Sequence, residues 1–243
     1  NLPVNLPEYM AVIGCFAAIF IVKMLFGGIG QNFMNPAVAA RCFLLISFPV
    51  IMTDWSTPAS TFGFEFDGVS GATPLGIVKE GLAQGMTLSQ IYAEHNFSYA
   101  EMLFTRIGSA GEISAIALLL GFVYLLVRRV IRPHITLSIW GTVIVFSGIL
   151  WLCNPEQFTD PIFNLLTGGM LLGSIFMATD YVTSPMEPKG MIIFGVGIGI
   201  ITILIREFGA YPEGISFAIL IMNATVPLIN MFCKPKRFGK EAK

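Results

Sequence analysis

The chain alternates long apolar stretches with short polar or glycine-rich interruptions. A helix needs about 20 predominantly apolar residues to cross ~30 Å of hydrocarbon. Seven stretches approach that length, near 9–26, 35–52, 102–127, 135–153, 162–179, 190–206 and 213–232. Residues 53–101 form a long segment too polar and too broken to cross, and are expected as an extramembrane loop carrying a short helix or two. The pattern predicts an all-α integral membrane protein: a polytopic helical bundle of about seven spans, with residues 1–243 as a single membrane domain. The chain starts without methionine and enters an apolar run almost at once, so further residues are expected upstream.

Two interruptions echo each other. GGIGQNFMNPA (27–37) and GGMLLGSIFMATD (168–180) each run Gly-Gly, a gap, Phe-Met and then a polar residue. Paired Gly-rich breaks in two parts of a membrane protein are what broken helices of an internal repeat look like, and such breaks cluster where ions or ligands cross. Glycines that let helices pack closely account for the same strings. The first account predicts a urea-transporter-like core with two repeat-related broken helices.

Composition narrows the class. Hydrophobic residues make up 55% of the chain and charged ones 12%, against about 25% charged in an average soluble domain. Mean hydropathy is +0.76. The net charge of −1 comes with no extended basic stripe, which excludes nucleic acid as a partner and leaves the lipid bilayer. Cys15, Cys42, Cys153 and Cys233 lie far apart without a CxxC pair, and His95 and His134 have no neighbour at metal-ligand spacing, so no metal site within the chain is predicted.

Basic residues of short loops collect on the cytoplasmic side. The two basic clusters, RRVIRPH (128–134) and CKPKRFGKEAK (233–243), are therefore placed inside, with a cytoplasmic C-terminus. NPEQFTD (154–160), REFGAYPEG (206–214) and the 53–101 loop then fall outside, and Lys23 inside.

Ionisable groups within apolar runs are costly and tend to mark paired sites or pathways. Arg41 reads equally as an anion or partner ligand and as a side chain snorkelling from the edge. Glu112, in GSAGEIS (108–114), reads as a cation or proton site one or two turns into its helix, or as an acid favoured by the helix dipole. Asp180, beside Thr179, Thr183 and Ser184, reads as a hydroxyl-rich ligand site or as a helix cap. Arg206 and Glu207 read as interfacial snorkellers or a local ion pair.

The stretch FDGVSGATPLG (66–76) is the chemically distinctive part of the loop. A threonine hydroxyl is a poor nucleophile without an activating base, and no histidine or lysine adjoins Thr73 in sequence. Thr73 is better read as a modification site, presented on an accessible loop to a separate enzyme bringing its own metal and activated phosphate. Gly68, Gly71 and Ala72 would let an extended strand enter a cleft, and Pro74 biases Thr73 towards extended backbone.

DGVSGAT (67–73) resembles the string at which flavin transferases attach FMN through its phosphate to threonine. LFGGIGQNFMNPAVAARCFLLISFP (25–49), GSAGEISAIALLLGFVYLL (108–126), FMATDYVTSP (176–185) and YPEGISFAILIMN (211–223) are similar to the NqrB/RnfD family, on the RnfD side, over nearly the whole chain. The resemblance implies covalent FMN on Thr73, with Asp67, Ser70, Gly71 and Ala72 as the transferase recognition string. It implies a subunit of the Rnf complex, a multi-subunit pump that passes electrons between ferredoxin and NAD and moves Na+ or H+ across the cell membrane of a bacterium or archaeon. Partners are then the other flavin and iron–sulfur subunits, with the flavin transferase during maturation. Riboflavin occurs in the related subunit, and extra N-terminal helices are usual. Glu112 and Asp180 are the candidates for an ion pathway. The competing reading is a small-solute transporter or channel of urea-transporter type, which has no use for a flavinylation string.

Overall fold

The computed structural model describes residues 2–3, 5–56, 70–95, 97, 99–104, 108–109, 111–209 and 211–233, and these are helical apart from turns and one short strand pair. Asp67 and Gly68 lie outside the described residues. Proline sets much of the helix grammar. It has no N–H to lose at a first helical position, and its fixed φ suits the start of a helix. Six helices begin on it: α2 (Pro36–Ser47), α3 (Pro49–Met52), α4 (Pro74–Ala83), α8 (Pro133–Cys153), α9 (Pro161–Leu166) and α11 (Pro188–Phe208). Three of these carry a side-chain cap on the residue before. Asn35 accepts from the N–H groups of Ala37 and Val38, Thr73 from that of Gly76, and Asp160 from that of Phe163.

Among the described residues, three helices are long and apolar enough to cross a membrane: α8, α11 and α12 (Ile215–Phe232). They match the runs expected at 135–153, 190–206 and 213–232 to within about two residues. The other four runs are interrupted or shorter. The first forms α1 (Glu8–Phe16), which continues without a break into a π-helical segment, Ala17–Met24. Pro49 divides the second into α2 and α3, because it offers no N–H to the preceding turn. The third is divided into α6 (Tyr99–Phe104) and α7 (Ala115–Val127), the latter capped by Ser114. The fifth breaks at Thr167–Gly169 between α9 and α10 (Met170–Leu172), which runs on as a π-helical turn, Gly173–Met177. Within 53–101 lie α4 and α5 (Leu88–His95), and β1 (Trp55–Ser56) pairs antiparallel with β2 (Ser70–Gly71), setting Trp55 opposite Gly71.

The core forms where α11 meets α8 and α12. A Cβ at Gly195 would fall 2.8 Å from the Ile135 carbonyl oxygen, and one at Gly199 would fall 2.8 Å from Thr142 Cβ, so bare backbone on α11 lets α8 approach closely. Ile139, Val143, Phe194, Ile198, Ala218 and Ile219 fill the centre. Because α8 rises by about 1.5 Å per residue, its ends are some 30 Å apart. Thr73, the 154–160 loop and the α11–α12 turn share one end. The 128–132 turn, the 178–187 segment and the end of α12 share the other, where Cys233 lies against Gly190.

The echoing strings meet. The first turns through Gly27, Gly28 and Gly30, all at positive φ, before Asn35 starts α2. Asn35 Nδ2 then donates to the Met177 carbonyl of the second string, 3.2 Å away.

Candidate functional site

Thr73 sits at the N-cap of α4, and its Oγ1 accepts the Gly76 N–H at 3.2 Å. The expected open presentation is not what the structure has: Thr73 is 6% exposed, while Ala72 beside it is exposed. The cause is local, because the hydroxyl satisfies one of the amide donors that a helix start leaves unpaired. A Cβ on Gly76 would stand 3.3 Å from Thr73 Oγ1, so the glycine keeps the space beside the hydroxyl open.

Thr73 opens onto a cavity of about 240 Å³, also lined by Arg41, Trp55, Gly76, Tyr211 and Glu213. Arg41 is buried, not snorkelling: its guanidinium forms an ion pair with Glu213 and donates to Ser216 Oγ at 2.6 Å. Lys79, farther along α4, donates to the carbonyls of Arg206 (3.1 Å) and Tyr211 (2.9 Å) and so ties α4 to the last turn of α11. Burial depresses the Lys79 amine below its ordinary range; Glu207 opposes that shift and Arg206 adds to it.

Arg206 also departs from the expected interfacial position, being 4% exposed. It donates to the Asn164 carbonyl at 2.5 Å and the Thr167 carbonyl at 2.9 Å, so a cation meets the negative end of α9 where the helix breaks. Gly168 (φ 59°) makes this approach possible: a Cβ there would lie 3.0 Å from Arg206 Nη2 and 3.6 Å from Glu213 Cγ. Glu207 accepts from Thr159 Oγ1 at 3.0 Å.

Glu112 lies in a turn ahead of α7, not within the helix, and is 2% exposed. Its carboxylate fits against the second break, since a Cβ on Gly169 would fall 3.1 Å from Oε1. It is also within electrostatic reach of Arg41. Arg41, Arg206, Glu112 and Glu213 are the buried charged side chains among the described residues. Two cations and two anions therefore balance around Gly168 and Gly169, which limits the desolvation penalty. Asp180 is not part of this group. It accepts from Thr183 Oγ1 at 2.9 Å, and its carbonyl accepts from Ser184, in a turn beyond the π-helical segment.

The structure thus joins Thr73 and Ala72 to Arg41 around one cavity, and Glu112 to the second break, while Ser70 and Gly71 form β2 just ahead of them. Sequence reasoning did not find Glu213, Lys79, Trp55 or Tyr211. Glu213 had a signal, an acid two residues ahead of an apolar run, for which Arg41 was an available counter-charge. The roles of Trp55 and Lys79 depend on pairing and packing with no local signature.

The NQR2, RnfD, RnfE family model matches residues 1–239. The chain is 44% identical over 240 residues to a component of the proton-translocating ferredoxin:NAD(+) oxidoreductase complex of Clostridium ljungdahlii, covering 98% of this chain and 71% of that one. It is 42% identical to the counterpart in the Na(+)-translocating ferredoxin:NAD(+) oxidoreductase complex of Acetobacterium woodii, covering 100% of this chain and 72% of the relative. It is 40% identical to the counterpart in the ion-translocating oxidoreductase complex of Stutzerimonas stutzeri, covering 100% and 73%. With the match spanning nearly every residue, the chain belongs to the NQR2, RnfD, RnfE family.

Proposed function

We propose that this chain is the flavin-carrying membrane subunit of an ion-translocating ferredoxin:NAD+ oxidoreductase, with FMN held through a phosphoester to Thr73. The observation that carries the proposal is the setting of the Thr73 hydroxyl, at a helix N-terminus in a cavity lined by Arg41, Trp55 and Tyr211. The residues suit the group. A helix start favours an anion through its amides and dipole, Arg41 adds a guanidinium, Gly76 leaves room, and the two aromatic side chains offer apolar faces. Bound FMN would supply electron transfer, while the protein holds it in place and sets its potential. Asp67, Ser70, Gly71 and Ala72 would be read by the flavin transferase before the loop folds. Family membership weighs against the small-solute channel, which leaves the DGVSGAT string without a use.

The rest of the reading follows from that assignment. The reading of the two glycine breaks as a repeat draws support from the Asn35–Met177 contact between the echoing strings, and the seven crossings rest on the apolar runs of the sequence. The Thr73 end would face the non-cytoplasmic side, because the basic 128–134 cluster lies at the other end, as does Cys233; the rest of the C-terminal cluster, 234–243, lies outside the described residues. Glu112, near the Thr73 end, and Asp180, at the other, would mark the two ends of an ion route. Relatives carry names with proton and with Na(+) translocation, and either ion suits a carboxylate such as buried Glu112. Riboflavin and the other flavin and iron–sulfur subunits would be the neighbouring carriers.

In-gel ultraviolet fluorescence of the denatured chain, from cells that contain the transferase, tests the core of the proposal. The wild-type band should fluoresce and a Thr73→Ala band should be dark. A dark wild-type band removes the flavin role, and a fluorescent Thr73→Ala band moves it to another residue. Sodium dependence of electron transfer in vesicles, compared between wild type and Glu112→Gln, tests the ion route; identical curves remove Glu112.

A further inference from the structure

At the end of the bundle away from Thr73, a cavity of about 520 Å³ opens between the α7–α8 turn and the segment that precedes α11. Its charged lining residues among those described are Arg129 and Arg132, with no acid among them. The apolar side is Ile131, Ile135, Met186 and Met191. Thr179, Tyr181 and Ser184 also line it, but their hydroxyl protons are committed to the carbonyls of Ile175, Val130 and Asp180. Asp180 is engaged by Thr183 and does not face the cavity. The two guanidiniums are thus left as the principal donors to a ligand.

The backbone at Arg129 is a second observation. Residues 125–130 close α7 as a Schellman turn, with the Val130 N–H bonded to the Leu125 carbonyl and the Arg129 N–H to that of Leu126. The residue in the left-handed conformation of that turn is usually glycine; here it is Arg129, at φ 55°, the only positive-φ residue other than glycine among those described. A charged side chain thus stands where the backbone favours none. The first turn of α8, which follows directly, has no side-chain cap.

The cavity also lies at the start of α8, one of the helices long and apolar enough to cross a membrane. Leu137 on the adjoining turn of α8 is 53% exposed and Met186 at the rim is 80% exposed. We infer that this cavity binds the phosphate headgroup of an anionic phospholipid between Arg129 and Arg132, with an acyl chain along Ile135, Met186 and Met191. Basic pockets between membrane helices select such headgroups. A free phosphate would meet the same two arginines and leave the apolar wall unused, so the lipid is the occupant that uses both halves. The inference stands apart from the flavin reading and needs neither Thr73 nor its modification.

Native mass spectrometry of the full chain in detergent, with added phosphatidylglycerol or phosphatidylcholine, tests it. Wild type should retain phosphatidylglycerol in preference to phosphatidylcholine. The double variant Arg129→Gly, Arg132→Ala should lose that preference by roughly tenfold or more, since each basic residue near an anionic surface contributes about fivefold. Glycine suits the left-handed backbone, so the variant should keep the wild-type thermal midpoint. Arg128→Ala, outside the lining, should retain lipid as wild type does. Equal retention of both lipids by wild type, or undiminished phosphatidylglycerol on the double variant, overturns the site. Displacement of the lipid by millimolar inorganic phosphate makes it a free-anion site and overturns the lipid assignment.

Discussion

The guanidinium of Arg41 is buried against the carboxylate of Glu213, a residue 172 positions away, and both line the cavity that holds Thr73. The pair joins α2 to the start of α12 and gives the cavity a fixed cation whose charge is already balanced. Removing one partner of a buried pair leaves the other uncompensated, at a cost of about 3–5 kcal/mol, whereas replacing both by apolar residues is often close to neutral. Arg41→Met and Glu213→Leu should therefore each lower the thermal midpoint in detergent strongly. The double variant should recover most of the loss. Additive losses in the double-mutant cycle would show that the two side chains do not act as a pair.

A second outcome concerns the order of maturation. Thr73 Oγ1 cannot cap α4 and lie in a transferase cleft at the same time. An N-cap contributes about 1 kcal/mol, and burial of Thr73 adds to the cost of opening the turn. A peptide covering residues 62–80 should accordingly be flavinylated by purified transferase at least about fivefold faster than the folded, unmodified chain. Equal rates would mean that the capped state is no barrier.

Much of the architecture was legible because proline and glycine act locally. Pro133, Pro161 and Pro188 announce helix starts, and the three long helices follow from hydropathy alone. Hydropathy also overstated continuity at 35–52, 102–127 and 162–179, since an apolar average does not register the missing N–H of Pro49 or the turn at Gly168. The site divides in the same way. Thr73 stood out through its neighbours in sequence, and Glu112 through its cost in an apolar run. Arg41 and Arg206 were visible as charges, but their settings were not: Arg41 finds Glu213 and Arg206 finds the Asn164 and Thr167 carbonyls only after distant helices pack.

The second break makes a further prediction. Arg206 bonds two carbonyls near the end of α9, and Gly168 leaves room for it. Each buried carbonyl left without a donor costs about 1–3 kcal/mol. Arg206→Met should lower the thermal midpoint accordingly and speed hydrogen exchange at the α9–α10 break. Gly168→Ala should share that signature, because its Cβ would meet Arg206 Nη2 at 3.0 Å on a left-handed backbone. A Gly168→Ala chain with wild-type exchange at the break would separate the glycine from the arginine's role.

Alkaline pH offers a test of the contact that steadies the 53–101 segment on the bundle. Tyr99 donates to Asp160 Oδ1 at 2.9 Å, while Asp160 Oδ2 caps α9 by accepting from the Phe163 N–H. Burial, reinforced by the hydrogen bond to Asp160 and by that residue's charge, pushes the Tyr99 phenol up to about 12. The unfolded chain titrates this group near pH 10, so the folded state holds the proton more tightly. The associated stability is fully present below pH ~10 and is lost as pH rises towards the folded value. Tyr99 is 43% exposed, so solvent screening keeps the effect modest. Thermal midpoints of wild type and Tyr99→Phe should run parallel from pH 7 to 9, and the wild-type curve should then fall more steeply between pH 10 and 12. Curves that stay parallel across that upper window would show that the phenol proton is not held by Asp160.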